Sequence, residues 1–399
     1  MKQDSQAGKG KLEGRAVSRD VKNASGAGAV HSVLRRALLA WFRRHARSLP
    51  WRGARAPYAV WVSEVMLQQT QVDTVIPYYL RFMRAFPTLE RLAAAPRERV
   101  LELWSGLGYY RRARHLHLAA QKVVTELGGR FPSEYAAART LPGVGDYTAR
   151  AILSIAYNQS YSVIDGNVAR VIARVLGRRG NLHQRAFRRA VEGELERMLA
   201  RRCPGDFNQA LMELGQTVCL PRAPRCASCP LRKSCRAFAQ GDPERYPAPR
   251  PRRSTELRHL AAAVIVRPFK ITQELALVRG LDEGLLPDLW NFPAAFGSSR
   301  ADALARLEAK LEQIAPRVIL WPAGDSAEAG RTPLASLRHN ITYRAIRVDV
   351  YATQARDGHA THRPGAVGAL RWFPAAKLSR AAVSELTRKI AAAARLTAV

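Results

Sequence analysis

The chain has 399 residues, 47% of them hydrophobic, and carries a formal net charge of +32. That length is enough for two or three domains with real cores, and so large an excess of Lys and Arg points to a polyanionic partner, nucleic acid first. Charge alone does not separate DNA, RNA and a membrane surface, but no apolar run reaches membrane length, which excludes a spanning helix.

Residues 1–30 are polar, basic and glycine-rich. They lack the apolar stretch of a secretory signal and are expected to form a disordered basic tail. His31 to Arg47 reads as an amphipathic helix with Leu34, Leu38, Leu39 and Phe42 on one face, ended by Ser48-Leu49-Pro50-Trp51-Arg52. Trp51 suits either a core position or a stacking platform, and core is the default.

Trp61 to Phe82 begins as a helix and holds Glu64 among Trp61, Val62, Val65, Met66 and Leu67. A carboxyl group in apolar surroundings has its pKa raised, which keeps a general acid protonated near neutral pH. A solvated helix glutamate is the commoner case. Gln68, Gln69 and Gln71 follow, and amides of this kind can read base edges through paired hydrogen bonds. Leu101 to Arg114 breaks at Gly106 and Gly108, then presents Tyr109 and Tyr110 ahead of Arg111, Arg112 and Arg114. Aromatic rings beside guanidiniums suit base stacking and phosphate binding. A further helix runs from Arg114 to the Gly128-Gly129 pair.

Ser133 to Thr140 is expected to be the first helix of a hairpin, turned at Leu141-Pro142-Gly143-Val144-Gly145 into a second helix. Backbone N–H groups at such a helix start suit a phosphate. Asp165 stands in the string VIDGNVAR, ahead of a helix from Val168 to Leu176. It reads equally as an N-cap or as a functional carboxylate. Phe187–Leu199 and Asp206–Thr217 complete an all-α region.

Four of the five cysteines then fall in one window, Cys219, Cys226, Cys229 and Cys235, spaced C-x6-C-x2-C-x5-C. Without an export signal a metal site is a better reading than disulfides. Spacing and chemistry leave zinc and an iron–sulfur cube level. Cys203 lies outside the window and reads as a plain thiol. Residues 241–256 are rich in Pro and Arg and read as an extended linker. Beyond them His259–Val266, Leu275–Arg279 and Tyr343–Tyr351 are strand-like, while Ala301–Ile314 and Ala381–Ala394 are helical. This is a smaller α+β domain.

Taken together, the strings LPWR (Leu49–Arg52), WVSEVMLQQTQV (Trp61–Val72), GLGYYRRARHLH (Gly106–His117), LPGVGDYTA (Leu141–Ala149), IDGNVARV (Ile164–Val171) and the cysteine window resemble the MutY-type adenine DNA glycosylases of the helix-hairpin-helix superfamily. The resemblance implies an all-α catalytic region of two helical lobes with an iron–sulfur cluster over residues 31–240, and a Nudix-like domain over residues 257–399. By the resemblance, Glu64 is the catalytic acid and Asp165 the transition-state carboxylate, with Tyr147 and Asn167 in support. Gln69 and Tyr109 wedge into the duplex. Leu67, Trp51, Arg47 and Arg52 neighbour the bases and the active site, and the turn Gly143-Val144-Gly145 grips the DNA backbone. The four window cysteines hold one [4Fe–4S] cluster, which breaks the tie with zinc.

Tyr147 separates this family from its endonuclease-III-like relatives. In those a lysine occupies this position and forms a Schiff base that leads to strand cutting, which a phenol cannot do. The implied activity is therefore base removal without strand cleavage, on double-stranded DNA with adenine opposite 8-oxoguanine or guanine. A damaged-pyrimidine glycosylase/lyase and a non-enzymatic DNA-binding protein are the rivals; Tyr147 and the extra domain oppose the first, and the second needs neither Glu64 nor Asp165. The expected setting is a monomer at the nucleoid of a bacterial cytoplasm, away from membranes. The C-terminal domain has no intact Nudix hydrolase signature, so metal-dependent hydrolysis there is not expected. Its lesion-sensing Phe-Ser-His string is replaced by Ile341-Thr342-Tyr343, which keeps a hydroxyl on Thr342.

Overall fold

The computed structural model describes residues 10–53, 55–249, 254–269, 272–315, 332–354 and 370–395. Residues 1–9 of the expected tail and 250–253 of the expected linker lie outside them. The chain divides into two compact units that alternate along the sequence. The first takes in Met1–Gln68 and Glu126–Pro251, the second Gln69–Thr125 and Arg252–Val399.

The first unit opens with α1 (Gly10–His45) and α2 (Pro57–Leu67). The second contributes α3 (Val72–Ala85), α4 (Leu89–Ala93) and α5 (Arg97–Trp104), with α6 (Arg111–Glu126) ending at its edge. The chain then returns to the first unit with α7 (Tyr135–Arg139), α8 (Asp146–Ala156), α9 (Gly166–Leu176), α10 (Arg185–Met198), α11 (Pro204–Thr217) and α12 (Arg236–Ala239). The rest of the second unit is β1 (Glu256–Phe269), β2 (Thr272–Arg279), β3 (Trp290–Asn291), β4 (Ala294–Gly297), α13 (Arg300–Ile314), β5 (Ala335–Ile341), β6 (Arg344–Gln354), β7 (Arg371–Pro374) and α14 (Glu385–Ala393).

Two departures from the sequence reading have local causes. Helix α1 starts at Gly10, inside the stretch expected to be a disordered tail. Residues 11–29 contain no proline and several good helix formers, so no ring blocks the helix from running back through them, although Gly14, Gly26 and Gly28 weaken it. The segment Trp61 to Phe82, read as beginning in a helix, holds two: α2 ends at Leu67, and Gln69 takes φ +58° before α3 begins.

In the first unit, α1 lays Leu34, Leu38, Trp41 and Phe42 against Val168, Val171 and Ile172 of α9, Val191 and Leu195 of α10, and Phe207, Leu211 and Leu214 of α11. A buried His31–Glu194 contact at 2.9 Å ties α1 to α10. Helix α2 begins with Pro57 at its first turn and is buried from Ala59 to Met66, on every face. It packs on α8, and α8 on α11.

In the second unit the strands form one sheet in the order β3-β2-β1-β6-β5, with β4 beside β1 and β7 beside β2. Only β1 and β6 run parallel among these pairs, with Glu256 opposite Arg344 and Val266 opposite Gln354. Ala261, Ala263 and Ile265 alternate along β1 and face Leu304, Leu307 and Leu311 of α13. The first two expected strands lie within β1 and β2, and the third, Tyr343–Tyr351, falls in β6 except for Tyr343, which is in the turn before it; the short β3, β4 and β7 and the polar β5 carry too little apolar pattern to read from sequence.

Helices α9 and α11 approach so closely that a methyl group on Gly215 would stand 2.7 Å from Asn167 Cβ. Both are backbone-anchored positions, so the clash cannot be relieved by turning a flexible side chain. Gly215→Ala is expected to lower the unfolding free energy by about 1–3 kcal/mol, measured by urea denaturation; an unchanged midpoint would refute this close approach.

Candidate active site

Glu64 lies on the fully buried helix α2 and is 7% exposed. Burial pushes its carboxyl up to about 7, against the lowering effect of a hydrogen bond with Tyr147, and the negative charge of Asp165 adds to the rise. Tyr147 sits in the first turn of α8. Its hydroxyl meets Glu64 on one side and Met212 Sδ, on α11, at 3.5 Å on the other. Burial first, then the charges of Glu64 and Asp165, hold the phenol well above its usual range, so it stays a neutral donor. The Gln68 amide at the end of α2 donates to Thr148 Oγ1 at 3.1 Å, which fixes the α2–α8 contact beside the two side chains.

Asp165 is the N-cap of α9. Its carboxylate accepts from Val168 N at 2.7 Å and from Asn167 Nδ2 at 2.9 Å. The two readings of this residue are therefore compatible: it caps the helix while it acts on Glu64. Two donors, one of them a backbone N–H of the first turn of α9, thus fix the orientation of its carboxyl group. The structure thus brings together Glu64, Tyr147, Asp165 and Asn167.

Arg47 and Arg52 converge on a residue the sequence reading passed over. Glu213 of α11 is 1% exposed and accepts from Arg47 Nε at 2.6 Å and from Arg52 Nη2 at 2.8 Å. Burial pushes its carboxyl up, but hydrogen bonds from the two arginines outweigh that and hold it below the usual range. Its signal was present in FNQALMELGQT, where Glu213 is enclosed by Ala210, Leu211, Met212 and Leu214 just as Glu64 is in its own helix. Trp51 is 9% exposed and borders a cavity of about 350 Å³ with Phe42 and Arg52, a core position with one open edge.

The hairpin turn is built as its glycines require. Gly143 takes φ +76°, Gly145 caps α8, and Arg139 Nη1 braces the turn from Val144 O at 3.1 Å. Val144 is buried at 3% exposure, so any contact it makes outside the fold is through its backbone. Leu67 is half-buried at the end of α2. Gln69, Tyr109 and Thr342 belong to the second unit. All three are non-glycine residues with left-handed backbones, at φ +58°, +49° and +56°, among eight such residues described. Thr342 is exposed at the two-residue turn between β5 and β6, and its hydroxyl donates to Ile341 O at 2.7 Å.

Helix α9 also reaches the cysteine window. Arg170 donates to Asn167 Oδ1 at 2.9 Å, Gly215 O at 2.8 Å and Cys219 O at 2.8 Å. One turn on, the buried Arg174 donates to Cys219 Sγ at 3.3 Å and Leu220 O at 2.6 Å. Cys219, Cys226, Cys229 and Cys235 form no disulfide. Burial, with the charges of the other three, pushes the Cys229 thiol up to about 12. Thiols confined in this way favour a cation that can replace the proton. Among the described residues, no group of three or more His, Cys, Asp or Glu side chains is gathered as it would be around a single metal ion. No described helix is long and apolar enough to cross a membrane.

Residues 62–197 match the family described as HhH-GPD superfamily base excision DNA repair protein. The chain is 35% identical to the adenine DNA glycosylase of Homo sapiens over 411 residues, covering 90% of this chain and 73% of that protein. It is 36% identical to the adenine DNA glycosylase of Rattus norvegicus, covering 90% of this chain and 77% of that one. Among solved structures, a thermostable thymine-DNA glycosylase matches with a TM-score of 0.48 and 27% identity, over 53% of this chain and 98% of its own. The matches to the relatives take in the sheet domain as well as the helices. The chain belongs to the adenine DNA glycosylase family, within the HhH-GPD superfamily of base excision repair proteins.

Proposed function

We propose that the chain is a monofunctional DNA glycosylase of base excision repair that removes adenine paired with 8-oxoguanine or guanine. The observation that carries this reading is the Glu64 carboxyl, held up to about 7 beside Asp165 and Tyr147.

A base inside a duplex is out of reach of any side chain, so the adenine must be everted at a cost of a few kcal/mol. Gln69 and Tyr109 wedge into the stack, and the backbone of residues 143–145 grips the phosphates; the left-handed backbones of Gln69 and Tyr109 support a role outside the fold, since such strain concentrates at functional positions. Protonated Glu64 gives its proton to a purine ring nitrogen and makes adenine a leaving group. Asp165, held by Asn167 and Val168, opposes the positive charge that develops on the sugar. Glu64, now a carboxylate, takes a proton from the attacking water. This is the two-carboxylate logic of glycoside hydrolysis. Tyr147 steers Glu64 and offers no amine for a Schiff base, so the product is an abasic site. Arg47 and Arg52, locked by Glu213, form a fixed basic edge near the same helix that carries Met212. Thr342 belongs to the surface that meets the opposite base. The expectation of a monomer at the bacterial nucleoid remains part of this reading.

Glu64→Gln and Asp165→Asn are each expected to slow adenine release by at least about 10²-fold while duplex binding persists, in single-turnover assays on adenine opposite 8-oxoguanine. Strand breaks should follow only after alkali. Normal turnover by either variant would remove these assignments.

Acidity supplies a second check. Glu64 loses its proton near 4.5 in the unfolded chain and near 7 in the fold. The chemical step should therefore weaken about tenfold per pH unit above that value. The same shift favours the fold fully below the unfolded value and is lost as pH rises to about 7. Glu64→Gln should then gain stability over the parent at pH 8 relative to pH 4, by up to about 3 kcal/mol, in denaturant titrations. An equal difference at both pH values would count against a buried acid.

The four cysteines would hold a [4Fe–4S] cluster, which supplies a rigid, charged tie for the loop they occupy. Arg170 and Arg174 then set that loop against α9. The purified protein should be brown and contain about four irons per chain, and Cys229→Ser should lose both colour and iron. Stoichiometric zinc in a colourless protein would overturn this assignment.

A further inference from the structure

The bend that carries Tyr109 is fastened to the sheet domain by groups that no step above uses. Ser105 ends α5 and is 6% exposed. Its hydroxyl donates to Val383 O at 2.8 Å and accepts from Arg388 Nη2 at 3.0 Å. Val383 precedes the N-cap of α14 and Arg388 lies in that helix's first turn, so both partners come from one short segment. That segment is rooted in the sheet: Val383 bridges Trp290, and the buried Ser384 donates to Asn291 Oδ1 at 2.6 Å. A second fastening holds the flanking helices, where Asp288 accepts from Arg97 of α5 and stands 3.4 Å from Arg114 of α6.

Beyond Ser105 the bend is stiff. Gly106 N donates to the Tyr110 hydroxyl at 3.1 Å, and the Trp104 indole donates to Gly108 O at 3.1 Å. Arg112 donates to Gly108 O at 3.2 Å and to Thr70 Oγ1 at 3.1 Å, with its guanidinium 5.2 Å from the Tyr109 ring. The turn that bears Gln69 and the bend that bears Tyr109 are thus pinned by one guanidinium and move together.

We propose that Ser105 and Arg388 are positioning residues through which the sheet domain sets the Tyr109 bend, so that the identity of the base opposite adenine governs wedging. The proposal rests on the reading above, in which the sheet domain meets that base. Helix α14 packs on β5, the strand that leads into Thr342, so a base that fits poorly there and displaces α14 acts through Val383 and Arg388 on Ser105, and through the bend on Tyr109 and Gln69. Neither residue is among the groups placed above at the reacting base or in the duplex. Their removal should therefore alter the choice between pairs more than the chemistry itself.

The test uses the full chain as wild type, Ser105→Ala, Arg388→Ala and Arg388→Lys, in single-turnover release of adenine opposite 8-oxoguanine and opposite guanine. The two alanine variants are expected to reduce the ratio of the two rates about fivefold or more, the worth of one hydrogen bond, and Arg388→Lys to recover part of it. The ratio is independent of how much enzyme is folded, so a plain loss of stability does not move it. A ratio unchanged in both alanine variants, or two rates that fall in parallel, overturns the proposal. If wild type releases adenine from neither pair, the proposed function itself fails, which is a different result.

Discussion

The first unit is arranged about a carboxyl group withdrawn from solvent. Glu64 lies on a helix buried on every face, and burial is the largest cause of its raised acidity range. Such a group would be a liability in an inert core, because an ionised carboxylate in an apolar setting costs several kcal/mol. Here the liability is converted into use by what surrounds it. Tyr147 satisfies one hydrogen bond without contributing charge, and Asp165, held at the start of α9, makes a second negative charge unfavourable. The two carboxyl groups thus sit in different settings, Glu64 on a buried helix and Asp165 at a helix start, the kind of difference the acid and counter-charge roles proposed for them require.

Helix α9 is the beam on which these settings hang. Its cap is Asp165, its first turn carries Asn167, its second Arg170 and its third Arg174. The last two reach the backbone and sulfur of Cys219, so the helix runs from the Asp165 cap to the cysteine window in three turns. Gly177 then ends it in the left-handed region at φ +61°. A displacement of the cysteine loop has a short, hydrogen-bonded route to Asn167 and hence to Asp165.

Much of this was legible in the residues. Glu64 stood out because it was wrapped in apolar neighbours, and the hairpin because its glycines punctuate a helical pattern. Tyr147 is marked by the family resemblance, and the absence of a lysine there is what points to base removal without strand cleavage. Glu213 carried the same kind of signal as Glu64 and was overlooked because it lay in a helix with no other chemistry to draw attention. Arg170 and Arg174 could not be separated from the other arginines of so basic a chain, since only the fold shows that they point to carbonyls and a sulfur instead of solvent. The clasp at Ser105 joins residues 278 positions apart and has no local pattern at all.

The contact between α9 and α11 has a genetic consequence. Gly215 touches no substrate, yet a single added methyl group there would press on the residue that steadies Asp165. Every missense change at a glycine codon introduces a larger side chain, so each one at this site meets Asn167. Loss of repair by such a change would leave every reacting atom in place and would itself raise the rate at which further errors accumulate.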